Sequence, residues 1–298
     1  MKSQDDVVGS QTDKPRLMVV AFISFITGAF LMSAFLTVGR RDWPSYLISF
    51  PGHPMDQAKH KPISTTTTIS VQSPTTPIQL QAILHYATSK ITPQQNLQEI
   101  TLSFNVLRSL SPCNFLVFGL GYDSLMWASL NPGGRTLFLE ETPEWVKTVL
   151  KDAPYLNAKT VPYRTHLKEA DELLTGYRDE PDCLPGRAFL KGNRKCRLAL
   201  ENLPEEVYER EWDVIMIDAP RGYFPEAPGR MAAIFSAAVM ARGRKRVGNT
   251  HVFLHDVDRK VEKEFANEFL CMKYKVESAG RLWHFEIPPN NSSSTNFC

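Results

Sequence analysis

The sequence predicts an α/β domain built on a mainly parallel, Rossmann-like sheet. From residue 115 onwards, apolar strands alternate with helical segments, and this alternation is typical of a parallel sheet. The first strand runs into the turn Gly119-Leu-Gly121, where glycine lets a ligand approach the backbone closely. The second strand ends in Glu140, and an acid about 20 residues after such a turn binds ribose hydroxyls. These features predict a site for an adenosine-containing cofactor.

Apolar periodicity and turn residues define the individual elements. A helical period of apolar residues predicts two helices before the first strand. Asn131-Pro-Gly-Gly134 ends the helix after the glycine turn, and Pro143 suits the first turn of the next helix. Gly280 separates the last two strands, as in a hairpin. In chain order the predicted elements are helices 79–88 and 96–110, strand 115–118, helix 124–130, strand 136–139, helix 143–150, strand 160–163, strand 212–218, helix 228–242, strand 250–256, helix 259–269 and strands 274–278 and 282–287.

The last strands and the glycine turn distinguish between two cofactor classes. A closing antiparallel strand pair is the usual ending of S-adenosylmethionine-dependent methyltransferases and is not the standard dinucleotide-binding layout. A dinucleotide-binding turn also has a third glycine three residues after Gly121, where this chain has Ser124. We therefore expect S-adenosylmethionine as the cofactor, and an NAD-linked sugar oxidoreductase is disfavoured.

Composition divides the chain into five parts. Residues 17–39 carry no charge and are long enough to span a bilayer as a helix. Residues 40–77 are rich in Pro, Ser and Thr, which is typical of a stem. We expect a short cytoplasmic tail at 1–16, a transmembrane signal anchor at 17–39, a stem at 40–77, a methyltransferase domain at 78–288 and a C-terminal tail at 289–298. The net charge of +2 gives no reason to expect nucleic acid as a partner.

The five cysteines suggest an oxidising compartment. Cys183 and Cys196 bracket a loop-like segment, as the two halves of a disulfide would. Cys271 and Cys298 are our second expected pair, although five free buried thiols in a cytosolic protein are the alternative. The spacing fits no zinc site, because there is no Cys-x2-Cys pair.

Polar residues follow four predicted strands, and in an open parallel sheet these strand ends lie at one edge. Gly119, Gly121 and Glu140 are the candidates for holding the cofactor, with Glu141 as an alternative to Glu140. Asp123 and Ser124 are expected to contact its methionine part or to cap the following helix. The sequence thus predicts a cofactor site at the ends of the first two strands.

A second group follows the later strands. Asp218, His255 and Asp256 are the candidate catalytic residues, because a histidine near neutral pKa or a metal-bound oxygen can activate a hydroxyl. Asp218 and Asp256 are also the candidate ligands of a divalent metal ion. Arg221 and Arg230, in the long loop after Asp218, are the candidates for pairing with a sugar carboxylate.

Longer stretches around these residues resemble a known family. They are Cys113–Gly121, Asp123–Gly133, Asp218-Ala-Pro, Gly222–Ala233 and His251–Asp256. These stretches closely resemble those of plant glucuronoxylan 4-O-methyltransferases, from the polysaccharide-biosynthesis family once called domain of unknown function 579. The resemblance covers about residues 79–288 and implies transfer of a methyl group from S-adenosylmethionine to O-4 of glucuronic acid on xylan.

The resemblance also implies a location and partners. We expect a single-pass type II protein of the Golgi membrane with a lumenal catalytic domain, bound to glucuronoxylan and associated with other xylan-synthesis proteins. Divalent metal dependence is expected on the same ground. Two alternatives within the family remain: methylation of glucuronic acid on arabinogalactan, and a non-catalytic Golgi scaffold for xylan deposition.

Overall fold

A computed structural model of the protein describes residues 75–290 and 296–298. The predicted tail, the predicted anchor and nearly all of the predicted stem lie outside these residues. Within them, none of the helices combines the length and the apolar character needed to cross a bilayer. This finding contradicts the expected single-pass type II arrangement in the Golgi membrane, and that prediction is not carried further.

The described elements follow the predicted alternation. Helices α1 and α2 precede the first strand, and most later strands are followed by a helix or a helical turn. The helices are α1 (Pro77–Thr88), α2 (Leu97–Leu110), α3 (Ser124–Ser129), α4 (Pro143–Asp152), α5 (Ala170–Gly176), α6 (Glu205–Glu209), α7 (Met231–Arg242) and α8 (Lys260–Phe265). The strands are β1 (Asn114–Phe118), β2 (Arg135–Glu140), β3 (Ala158–Thr160), β4 (Val214–Ile217), β5 (Thr250–Leu254), β6 (Lys275–Ala279) and β7 (Leu282–Ile287).

The seven strands form one sheet in the order β3-β2-β1-β4-β5-β7-β6. The first five strands in this order are parallel to one another, and β7 is antiparallel to both β5 and β6. The predicted mainly parallel sheet with a closing antiparallel pair is therefore confirmed. Because the order reverses direction between β1 and β4, the carboxyl ends of these two central strands flank a crevice.

The core lies on both faces of the sheet. Alternate residues of β1, such as Leu116 and Phe118, pack under α7 and α8, whereas Phe115 and Val117 pack under α1–α4. Successive side chains of a strand point to opposite faces, so a central strand covered on both sides must be apolar throughout. In β1, this arrangement leaves a polar residue only at one end of the strand.

The third strand lies earlier than predicted. The sequence indicated 160–163, but β3 covers Ala158–Thr160. The Val161 N–H still donates to the Glu140 carbonyl at 2.8 Å, and Pro162 then has no N–H with which to continue the ladder. The helix predicted for 259–269 also changes character, since α8 passes into a π-helical turn at Ala266–Leu270.

Both expected disulfides are present. Cys183 bonds Cys196 and Cys271 bonds Cys298, while Cys113 is free and buried. The second bond fixes the end of the chain, where Phe297 is buried against the core. Residues 296–298 are therefore packed onto the domain, and the predicted boundary of a separate tail at 289 remains an expectation.

Candidate active site

A cleft of about 500 Å³ opens at the carboxyl edge of the sheet. It lies where the crevice between β1 and β4 is expected to bind ligands. Its wall combines the glycine turn after β1, the acids after β2 and β4, and the loop after β4. The lining residues that carry polar side chains are Gln94, Tyr122, Asp123, Glu140, Glu141, Thr142, Trp145, Asp218, Arg221, Tyr223, Arg230, Asp256 and Arg259.

The glycine turn is shaped for close approach. Gly119 has a φ of +128°, a backbone conformation that residues other than glycine rarely adopt. A Cβ atom at Gly119 would lie 3.3 Å from the Cβ of Ala219. Gly119 and Gly121 both line the cleft, so the turn leaves the space that a bound cofactor needs.

Glu140, the last residue of β2, and Glu141, the residue after it, differ in their surroundings. The Glu140 Oε1 accepts a hydrogen bond from the Thr142 N–H at 3.0 Å. Burial and the neighbouring Glu141 charge raise the pKa of Glu140 to about 7. The Glu141 Oε1 is bound by the backbone N–H and the Nε of Arg221, both at 3.1 Å, whereas its buried Oε2 has no partner. Both acids line the cleft, so both stay candidates for the ribose hydroxyls.

Asp123 and Ser124 have separate places. Asp123 lines the cleft, and its Oδ2 accepts from the Trp127 indole N–H at 2.8 Å. Burial and the Asp218 charge raise the pKa of Asp123 to about 6. Ser124 is buried away from the cleft lining, where its hydroxyl accepts from the Gly121 N–H at 2.9 Å. The expected contact of Ser124 with the cofactor is thus replaced by a role in holding the turn.

Asp218 and His255 form a hydrogen-bonded pair. The His255 Nδ1 lies 2.8 Å from Asp218 Oδ1, and Gln95 donates to Asp218 Oδ2 at 3.1 Å. Burial opposes both charges, but the hydrogen bond and the charge of Asp218 outweigh it and raise the pKa of His255. The same bond and the Arg230 charge lower the pKa of Asp218 against the effect of burial.

Only one member of this pair faces the cleft. Asp218 lines it, while His255 is 1 % exposed and lies behind Asp218. The His255 Nε2 is buried without a hydrogen-bond partner, 3.7 Å from the Glu99 Oε1. The geometry places Asp218 where it can touch a substrate and His255 where it can orient Asp218.

Arg230 joins the ends of β4 and β5. Its Nη1 donates to the His255 carbonyl at 2.7 Å, and its Nη2 donates to the Asp218 carbonyl at 2.5 Å and to the Asp256 Oδ2 at 2.8 Å. The side chain is 5 % exposed. Because the guanidinium N–H groups of Arg230 already donate to acceptors within the protein, Arg230 is a positioning residue here. The expected direct role in binding a sugar carboxylate does not fit this geometry.

The Asp218 and Asp256 carboxylates do not fit a divalent metal in this arrangement. Asp256 Oδ1 is bound by Arg281 at 2.6 Å, and its Oδ2 by Arg230 and by Arg259 at 2.9 Å. Although Asp218, His255 and Asp256 bring ligand atoms within 4.8 Å of one another, a further cation would sit among guanidinium charges that already neutralise the acids. The expected metal ion is therefore not supported.

Two arginines at the mouth keep exposed donors. Arg221 is about half exposed beside Glu141, and Arg259 is about one-third exposed beside Asp256. Arg259 also lies 3.6 Å from Glu262, whose buried carboxylate has no hydrogen-bond partner. Arg221 therefore remains a candidate for a substrate carboxylate, and Arg259 joins it.

A second titratable cluster lies on β5 and β7. His251 Nδ1 and His284 Nε2 are 3.0 Å apart, and Glu286 is 3.8 Å from His251. Burial lowers the pKa of His251 and lowers that of His284 to about 4. The pair is a hydrogen bond between neutral rings, in which one nitrogen donates and the other accepts.

Several residues that complete the site could not be predicted from the sequence. Gln95 lies just before α2 and Glu99 lies in its first turn, both distant in sequence from any strand end. Arg281 lies in the turn between β6 and β7. Glu99 accepts hydrogen bonds from the N–H groups of Asn96 and Arg281. A polar residue in an amphipathic helix is most often solvated, so only the folded chain reveals these contacts.

Comparisons with known proteins show the family of this chain. The family model described as IRX15/IRX15L/GXM matches residues 98–285. Arabinogalactan O-methyltransferases 1 and 2 of Arabidopsis thaliana are 67 % and 60 % identical to the chain. The first match covers 74 % of this chain and 76 % of the relative, and the second covers 93 % and 90 %. Glucuronoxylan 4-O-methyltransferase 2 of the same plant is 53 % identical over 73 % of this chain and 74 % of its own.

One solved structure aligns with this chain at low similarity. A methyltransferase-like protein from Silicibacter pomeroyi aligns over 67 % of this chain and 89 % of its own, with 15 % identity and a TM-score of 0.36. The predicted family is confirmed. Within it, the chain is more identical to the arabinogalactan enzymes than to the glucuronoxylan enzyme. The chain belongs to the IRX15/IRX15L/GXM family of plant methyltransferases.

Proposed function

We propose that this protein transfers a methyl group from S-adenosylmethionine to a hydroxyl of glucuronic acid residues on arabinogalactan. The observation that carries the acceptor choice is the identity of 60–67 % with two arabinogalactan O-methyltransferases, against 48–53 % with three glucuronoxylan 4-O-methyltransferases. This favours the alternative reading of the sequence over the glucuronoxylan one. The proposed domain boundaries stay at 78–288, with the stem before them.

The cofactor end of the cleft would be formed by the turn after β1 and the acids after β2. Gly119 and Gly121 leave room for the cofactor backbone, Glu140 would accept hydrogen bonds from the ribose hydroxyls, and Asp123 would face the positively charged methionine part. S-adenosylmethionine supplies an electrophilic methyl group when bound. The turn conformation of Gly119, with its φ of +128°, supports this placement.

Asp218 is the proposed acceptor of the hydroxyl proton. It lies on the cleft between His255 and Arg230. Against the effect of burial, the hydrogen bond with His255 and the charge of Arg230 lower the pKa of Asp218. His255 and Asp256 would act through it: His255 by holding one carboxylate oxygen, and Asp256 by fixing the Arg230 guanidinium. Arg221 and Arg259 would pair with the uronic acid carboxylate at the mouth of the cleft.

An acceptor competition tests this function. The purified protein, with both disulfides intact, is given methyl-labelled S-adenosylmethionine and either glucuronidated arabinogalactan or glucuronoxylan. The same polymers with their carboxyl groups reduced to primary alcohols are the controls, and Asp218→Asn is the variant that keeps the size of the side chain. We expect label in arabinogalactan, little in the reduced polymer, and a loss of about 100-fold or more in kcat for Asp218→Asn.

The other outcomes of this experiment would support a different acceptor or a non-catalytic role. Label in glucuronoxylan alone would replace the arabinogalactan proposal by the xylan one. Absence of label from both polymers, in a protein that still binds S-adenosylmethionine in calorimetry, would favour another acceptor. Absence of label and of cofactor binding in a folded protein would favour the non-catalytic scaffold.

A further inference from the structure

We propose that Tyr223 and Phe224 form a subsite for the sugar residues that flank the methyl-accepting residue of a polysaccharide, an inference that rests on the proposed function. Tyr223 is 68 % exposed and Phe224 is 37 % exposed, and their ring centroids are 5.2 Å apart. Tyr223 lines the cleft. Single exposed apolar residues are common on proteins, but two adjacent aromatic rings at the mouth of a functional cleft mark a binding surface.

The backbone that carries the two rings is fixed. The Ala227 N–H donates to the Phe224 carbonyl at 3.0 Å, and the Leu167 N–H donates to the Ala227 carbonyl at 2.7 Å. The Lys168 N–H donates to the Pro225 carbonyl at 3.0 Å. Ala227 is fully buried. Before the rings, the Arg221 carbonyl accepts from the Gly229 N–H at 2.9 Å. The loop is therefore anchored on both sides of the rings, and a ligand that binds them loses little free energy in ordering the loop.

The chemistry of the rim matches a carbohydrate chain. An aromatic face carries negative charge density, and the C–H groups on one side of a pyranose ring present a flat, weakly positive surface to it. The tyrosine hydroxyl can in addition donate to or accept from a sugar hydroxyl. A polymer whose uronic acid enters this cleft of about 500 Å³ must leave it past exposed lining residues, and Tyr223 is one of them.

Acceptor length separates this subsite from the reaction centre. Initial rates are measured with glucuronidated arabinogalactan and with a short glucuronosyl disaccharide, for the wild type, Tyr223→Ala and Tyr223→Trp. We expect Tyr223→Ala to raise KM for the polymer about tenfold with kcat within about twofold, because one aromatic contact is lost. KM for the disaccharide and for S-adenosylmethionine should stay within about twofold, and Tyr223→Trp should retain polymer binding.

Tyr155→Ala is the matched control, because Tyr155 is also exposed but does not line this cleft. It should leave every constant unchanged. Equal changes in KM for polymer and disaccharide, or no change for either, would overturn the subsite. If the wild type methylates neither polymer, retardation in a gel containing arabinogalactan decides separately: retardation lost in Tyr223→Ala supports the subsite, and a wild type that is not retarded refutes it.

Discussion

Replacing Arg230 by Met should destabilise the domain more than any exposed arginine change. The side chain is 5 % exposed and bonds both Asp218 and Asp256 together with three main-chain carbonyls. Methionine fills a similar volume but leaves two largely buried carboxylates without this partner. Breaking a buried ion pair from one side costs about 3–5 kcal/mol. For a domain of this size that free energy corresponds to a fall in Tm of about 6–20 °C.

Thermal and urea unfolding followed by circular dichroism measure the effect. Arg187→Met is the control, because Arg187 pairs with Asp182 at 3.5 Å while 68 % exposed, and such pairs contribute about 0–1 kcal/mol. A loss of less than about 1 kcal/mol in Arg230→Met would refute the view that Arg230 neutralises the acid cluster.

The pH dependence gives a second readout of the same change. The pKa of Asp218 is lowered in the folded state although burial opposes this, so its contribution to stability is present above the usual Asp pKa and is lost as the pH falls through the folded value. Without Arg230 one of the lowering charges is gone. The acid-induced loss of stability that Asp218 contributes should therefore be smaller in Arg230→Met than in the wild type.

Three further changes test other parts of the molecule. Gly119→Ala should weaken S-adenosylmethionine binding at least about tenfold in calorimetry, because the φ of +128° is strained for alanine, whereas Gly176→Ala, in open space, should not. The wild-type affinity should fall as the pH drops through about 7, where the buried Glu140 gains a proton, and Glu140→Gln should bind weakly at every pH. The folded pKa of His284 near 4 makes the unfolded chain bind more protons between about pH 6.5 and 4, so the stability of the wild type falls over that range. His284→Phe should remove this acid-induced loss, which amounts to up to about 3 kcal/mol in the free energy of unfolding. An unchanged pH profile of stability in His284→Phe would contradict this.

The sheet could be predicted because its strands carry strong local signals. The central strands β1, β4 and β5 are mostly apolar and are followed by polar residues, which identifies both the buried layer and its functional edge. The edge strand β3 has only three residues, of which two are exposed. Its position depends on pairing with β2 and on Pro162, so composition alone misplaced it.

The cleft residues could be predicted in type but not in partnership. The strand-end acids Glu140, Asp218 and Asp256 do lie together, because parallel strands end at one edge. Their neutralisation could not be read from the chain: Gln95 reaches Asp218 across 123 residues, and Arg281 reaches Asp256 across 25. Acids at strand ends suggest a metal site equally well, and only the position of the arginines distinguishes the two arrangements.

The arginine arrangement has a consequence for the proton transfer. With its pKa lowered by His255 and Arg230, Asp218 is too weak a base to deprotonate a free sugar hydroxyl in advance. A hydroxyl oxygen that gains a methyl group becomes strongly acidic, however, so a weak carboxylate base suffices once the new carbon–oxygen bond is forming. An acid that buried partners orient, and whose pKa they lower, serves that step better than one with a raised pKa, since it is unprotonated at neutral pH. We therefore expect the kcat of the wild type to be nearly independent of pH above neutrality, and a kcat that continues to rise with pH there would show that a stronger base removes the proton.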